Sequence, residues 1–163
     1  MTNQLNRRKN MSDRLIAKVA AVNRCHAAAK ELFPQLVAIF TPLVGQKLEK
    51  VSGGFLQKIR VLLPEFPNTQ QLQIYRSSSA YSLTWNVKTC ELTPPNGCVY
   101  HEVGVYVGSM SNGVLTSVAD KLSEFRSDYT VEEVLRLRAN YTVLKNAAQN
   151  AFGLLSDFGE YDR

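Results

Sequence analysis

Leu15, Val19, Val22, His26, Ala29 and Phe33 recur at steps of 4, 3, 4, 3 and 4, so residues 11–33 read as a long helix with one apolar stripe. Pro34 suits the first turn of a second helix. There Leu36, Ile39, Phe40, Leu43, Lys47 and Leu48 keep the period, with a kink at Pro42, until Gly53-Gly54 stops it. The period then shortens to 2. Phe55, Gln57, Ile59, Val61 and Leu63 alternate with Leu56, Lys58, Arg60 and Leu62, which predicts a strand that ends at the prolines of 64–68. Residues 71–76, 80–92 and 98–107 read as three more strands, and short connections make the set an antiparallel meander.

Past 108–113 the residues Val114, Val118, Leu122 and Phe125 return to helical spacing. A last helix opens at Thr130-Val131-Glu132-Glu133, a capping box in which the threonine oxygen takes the N3 amide and Glu133 reaches back. Tyr129 and Val134 are placed to form the hydrophobic staple. Behind it Val134, Leu137, Tyr141, Leu144, Ala148, Ala151 and Leu155 continue the stripe, as in a helix that packs lengthwise on another. The expected fold class is therefore α+β, a four-stranded antiparallel meander flanked by two N-terminal and two C-terminal helices, in the order α-α-β-β-β-β-α-α. It forms a single domain over 1–163, with 1–10 as a basic N-terminal arm and 156–163 as an acidic and aromatic tail.

Register sharpens the sheet. Pairing positions that sum to 188 sets Tyr81, Leu83, Trp85, Val87 and Thr89 opposite Val107, Val105, Val103, His101 and Val99, and gathers them on one apolar face. The other face then carries Ser82, Thr84, Asn86, Lys88, Tyr100 and Tyr106, with Cys90 directly opposite Cys98.

That alternation weighs against the most suggestive cluster in the chain. Cys90, Cys98 and His101 resemble metal ligands in spacing, but Cys98 and His101 project from opposite faces of a strand. Cys25 and His26 sit adjacent on another element, short of a four-ligand structural zinc site. No metal and no cofactor are expected. The histidines read as packed core residues on apolar stripes, and three cysteines without framework spacing fit a reducing compartment.

The segment Gly108–Gly113 has GxxxxG spacing at a supposed strand-to-helix step, yet Val114-Leu115 stands where a P-loop needs Lys and Ser or Thr. A turn is the reading, with simple anion binding as the alternative. Ser77-Ser78-Ser79 has no glycine elbow, and no catalytic residue is assigned.

Composition is that of a globular protein, 45% apolar and 20% charged. The start lacks the apolar run of a secretory signal, and residues 36–40 form the longest purely apolar run, far short of a membrane span. Charge adds polarity: residues 1–60 hold 11 bases against 3 acids, the remainder 8 against 11. Arg7, Arg8, Lys9, Arg14 and Lys18 concentrate that charge, and on the non-core sheet face Lys88, Tyr100 and Tyr106 offer a cation beside stacking rings.

These features together predict a non-enzymatic, cytoplasmic binding or assembly module that contacts RNA or DNA through its basic N-terminal segment. Homo-oligomers are expected to form through Val134, Leu137, Tyr141, Leu144 and Ala148, with no membrane or small-molecule partner. A viral coat or accessory protein fits that profile, with the virion as its location. The alternative is an adaptor or inhibitor whose basic end docks on an acidic protein.

Overall fold

A computed structural model describes residues 2–48, 72–77, 80–93, 97–140, 154 and 157–158, with residues 2–12 and 72–77 described by their backbone. The architecture is α+β: one long helix, α1 (Thr2–Phe40), lies across an antiparallel sheet of β1 (Leu72–Ser77), β2 (Ser82–Thr93), β3 (Gly97–Ser111) and β4 (Val114–Val118). The strands neighbour one another in chain order. A short helix, α2 (Val131–Ala139), packs beside the N-terminal half of α1.

Where two N-terminal helices were expected, one is found, because α1 runs through Pro34 and ends in a 3₁₀ turn at Thr41–Leu43. A helix-interior proline costs about 3 kcal/mol. Leu32, Leu36 and Phe40, fully buried on either side of it, each contribute about 1.5–3 kcal/mol by leaving water, so continuity wins. The basic arm of 1–10 is likewise helical in its backbone from Thr2.

Three of the expected strands correspond to β1, β2 and β3, whereas the one expected over 55–63 lies outside the described residues. The helix expected from Val114 is instead β4. Asn112 (φ 52°) and Gly113 (φ 79°) both adopt the left-handed conformation between Ser111 and Val114, which makes a two-residue hairpin whose twist matches the flanking strands. Segment 45–48 then lies along β4: Gly45 N donates to Leu115 O at 2.7 Å and Leu48 N to Gly113 O at 3.0 Å. Residues 119–130 carry no regular structure, although Leu122 and Phe125 still pack on the core.

The β2–β3 register differs from expectation by two residues: Trp85 pairs with Val105, Val87 with Val103, Thr89 with His101 and Thr93 with Gly97, a sum of 190. A slip of two returns every side chain to its own face, so the apolar pattern cannot distinguish the alternatives. The observed register carries the ladder to Thr93 and Gly97.

The slip also separates the two cysteines. Cys90 pairs with Tyr100 and Cys98 with Leu92, so the thiols are diagonal neighbours rather than opposed, and both are free.

Farther up, Val107 is an extra residue between the Thr84–Tyr106 and Leu83–Gly108 pairs. This bulge turns both Val107 and Gly108 into the interior. Gly108 cannot be larger, because a Cβ there would collide with the Ser117 carbonyl of β4. Tyr81, expected on the core face, precedes β2 and is exposed.

Among the described residues two apolar cores form. The larger joins Cys25, Ala28, Ala29, Leu32, Leu36 and Phe40 of α1 to Leu83, Trp85, Val87, Val105, Val107, Met110 and Leu115 of the sheet. The smaller joins Leu15, Val19 and Val22 to Tyr129, Val134, Leu137 and Phe158.

The cap of α2 holds as expected on one side: Thr130 Oγ1 accepts from Glu133 N at 3.2 Å. Glu133 does not reach back to the Thr130 amide. Its carboxylate clamps the Arg126 guanidinium, which also bonds Asp128 at 2.7 Å, and those bonds hold both carboxyls below their usual range.

Candidate functional site

Between the two cores the apolar packing gives way to a polar node. His26 stands on the α1 stripe and His101 on the inner face of β3, so docking helix on sheet brings them together, Nε2 to Nε2 at 3.2 Å. Asp157, from the C-terminal segment, places Oδ1 3.9 Å from His26 Nε2 and 3.8 Å from His101 Nε2. Its other oxygen accepts from the Tyr129 hydroxyl at 2.8 Å. Lys18, two turns before His26 on α1, sets Nζ 3.2 Å from His101 Nδ1 and donates to the Tyr100 carbonyl at 3.1 Å.

The partners assign the protons. Arg126 O, 2.6 Å from His26 Nδ1, can only accept, so Nδ1 carries the hydrogen and Nε2 presents a bare lone pair. The Lys18 ammonium can only donate, so His101 Nδ1 accepts from it and His101 Nε2–H points to His26. Two neutral rings result, in a chain that runs from the Lys18 ammonium through His101 and His26 to the Arg126 carbonyl.

Burial enforces that neutrality. Loss of solvent, then the Lys18 ammonium and the repulsion a protonated His26 would exert, pushes His101 down to about 3. His26 is lowered for the same first reason, against the opposing pull of the Arg126 carbonyl and Asp157, and Lys18 is lowered by burial although Asp157 resists. Burial, then the Asp157 carboxylate, raises Tyr129. Next to the node, Cys25 donates to Val87 O at 3.1 Å and is pushed up to about 12 by burial, while Thr89 Oγ1 donates to the Ala21 carbonyl at 2.7 Å.

The outer face of β2 and β3 has a different character. Thr84, Asn86, Lys88 and Cys90 alternate with the inner residues of β2, and Tyr100, Glu102 and Tyr106 do so on β3. Lys88 Nζ stands 4.4 Å from the centre of the Tyr100 ring, a cation–π pair, and Asn86 Nδ2 donates to Glu102 at 3.1 Å. Tyr100 is 55% and Tyr106 40% exposed, and the Tyr106 hydroxyl bonds the Ser109 hydroxyl.

The expected nucleic-acid residues therefore divide. Lys88, Tyr100 and Tyr106 share the outer face. Arg14 lies at the hairpin end of the sheet, its guanidinium beside Gly97. Lys18 points inward to the node instead of outward to a phosphate. Arg7, Arg8 and Lys9 lie on the α1 backbone, with their side chains outside the described residues.

Of the expected self-association residues, Val134 and Leu137 are buried within the chain against Leu15, Val19 and Val22, whereas Tyr141, Leu144 and Ala148 lie outside the described residues. Cys98 and His101 do take opposite faces, as alternation requires.

The node itself was not foreseen, since its two rings stand 75 residues apart in the chain. One signal pointed to it. A polar ring on an apolar helix stripe and another on an apolar sheet face must find partners when those faces close on each other. No helix of the described residues is long and apolar enough to cross a membrane. Comparison with protein-family models, with curated proteins and with solved structures found no match.

Proposed function

We propose that the protein is a non-enzymatic module that binds single-stranded nucleic acid across the outer face of β2 and β3. The observation that carries this reading is the Lys88–Tyr100 pair, with Tyr106 beyond it on the same face and both rings exposed. Unpaired bases stack on tyrosine rings irrespective of sequence, and the Lys88 ammonium over the Tyr100 ring adds a cation within reach of a phosphate. Lys88 faces Glu102 across the strands, which offsets its charge, so stacking leads and phosphate attraction supports it.

The supporting charge comes from the helix. Arg14 reaches the hairpin end beside Gly97, and Arg7, Arg8 and Lys9 precede it on α1, so the basic segment can hold the phosphates of a strand that runs past the hairpin end. Self-association through α2 has less behind it: among the described residues of that helix Leu135 is the exposed large apolar side chain, and one such residue does not make an interface.

Fluorescence anisotropy with labelled single-stranded DNA and RNA tests the proposal. Binding is expected to weaken as salt rises. Tyr100→Ala is expected to lose about 1–3 kcal/mol, roughly 5- to 150-fold in affinity, from one lost stacking partner. No binding at low salt, or equal binding by Tyr100→Ala and Lys88→Ala, overturns it.

A further inference from the structure

We infer that His26, His101 and Asp157 form a binding site for one divalent transition-metal ion of the zinc class, independent of the nucleic-acid reading. The triangle of His26 Nε2, His101 Nε2 and Asp157 Oδ1 has sides of 3.2, 3.8 and 3.9 Å, so a point about 2.1 Å from all three atoms exists at its centre. That is the bond length zinc makes to imidazole nitrogen and to carboxylate oxygen. No ligand has to travel to close the first three bonds. A contraction of a few tenths of an ångström on the Asp157 side lifts the ion out of the plane toward a tetrahedron, with water as fourth ligand.

The surroundings fit the same chemistry. The two rings meet at an interplanar angle of 65° with centroids 5.1 Å apart, so they approach through their Nε2 edges and not their faces. The His26 Nδ1–H bond to the Arg126 carbonyl orients that ring and leaves Nε2 free to ligate. Tyr129, donating to Asp157 Oδ2, orients the carboxylate in the same way. His26 is 2%, His101 12% and Asp157 16% exposed in their side chains, so the donors are nearly dry and converge without help from solvent.

Coordination replaces one bond of the hydrogen-bonded chain. The ion takes the position of the hydrogen on His101 Nε2. Lys18 gives a proton to His101 Nδ1, and the displaced proton leaves to solvent, so that one proton is released for each dication bound. His26 keeps its hydrogen throughout. Three elements distant in sequence, α1, β3 and the C-terminal segment, are then joined by metal bonds, where before a hydrogen bond linked the two rings and Asp157 stood 3.8–3.9 Å from both.

The test uses the full, untagged chain stripped with chelator and titrated with Co²⁺ and with Zn²⁺. Isothermal calorimetry is expected to give one ion per chain, Co²⁺ to develop visible d–d absorption of a four-coordinate site, and Zn²⁺ to displace it and raise the melting temperature. Asp157→Asn keeps an acceptor for Tyr129 and removes the anionic ligand; it is expected to retain the wild-type circular dichroism and weaken Co²⁺ binding by about tenfold or more. His101→Gln is expected to abolish the visible bands.

Wild-type protein that takes up no stoichiometric Co²⁺ or Zn²⁺, or that binds them equally well in folded Asp157→Asn, overturns the inference and leaves the node a hydrogen-bonded brace. Loss of oligonucleotide binding has no bearing on this result, and metal uptake has none on the stacking face.

Discussion

The two faces of the β2–β3 ribbon are built from the same alternating pattern and differ in what covers them. The inner face spends Leu83, Trp85, Val87, Val105 and Val107 on the underside of α1 and reserves its polar positions, Thr89 and His101, for partners on that helix. The outer face keeps Tyr100 and Tyr106 exposed, with Lys88 over the Tyr100 ring and the Tyr106 hydroxyl on Ser109. Substitution should therefore separate cohesion from recognition: inner changes cost stability, outer changes cost binding.

The largest effect is expected at the centre of the inner face. Trp85, fully buried with its ring 6.2 Å from that of Phe40, should lose about 3–5 kcal/mol on Trp85→Ala, read as a lowered midpoint in chemical denaturation. Next comes the bulge. Gly108→Ala drives a methyl into the Ser117 carbonyl and should cost about 1–3 kcal/mol, with the exchange protection of the β3–β4 amides falling first.

Acid should break the inner face selectively. In the metal-free fold His101, facing Lys18 and His26 on α1 and Asp157 from the C-terminal segment, is held neutral down to about 3, against about 6.5 in the unfolded chain. Between those values the unfolded chain binds more protons, so stability falls as pH drops below about 6.5. Thermal unfolding across that range should show a declining melting temperature, and His101→Gln should flatten the decline.

Smaller is the cap of α2, where Thr130→Ala should cost about 1 kcal/mol by orphaning the Glu133 amide. Smallest on this scale is the outer face, where Tyr106→Ala should change stability by no more than about 0.5 kcal/mol while weakening oligonucleotide binding.

The difference between the faces also explains what could be read from sequence. Leu15, Val19, Val22, His26 and Ala29 form a buried stripe, and Trp85, Val87 and Val105 share one side of the sheet, because period and alternation follow from backbone geometry alone. Three things escaped that reasoning. Pro34 is a local breaker overruled by burial on either side of it. Asn112-Gly113 lay inside a run whose Val114 and Val118 fit a helical step as well as the ends of a short strand, and the turn chemistry, not the spacing, decided. The two-residue register shift was invisible because it exchanges no face.

The candidate residues divide along the same line. Lys88, Tyr100 and Tyr106 were legible as a shared face because strand alternation is local. The His26–His101–Asp157 node depended on how far along the sheet the helix docks and on where the acidic tail returns, and neither is encoded in a short window. Lys18 was assigned to phosphate from its place in a basic run, whereas tertiary packing turned it to the His101 ring.

Chemical-shift mapping on the isotopically labelled chain, titrated with a single-stranded oligonucleotide, tests the division of labour most directly. The account predicts shifts concentrated at Thr84, Asn86, Lys88, Tyr100, Glu102 and Tyr106, with the amides of Val87, Val103 and Val105 following only as neighbours and His26 unmoved. Shifts confined to α1, shifts centred on the His26–His101 node, or no shifts at low salt contradict it.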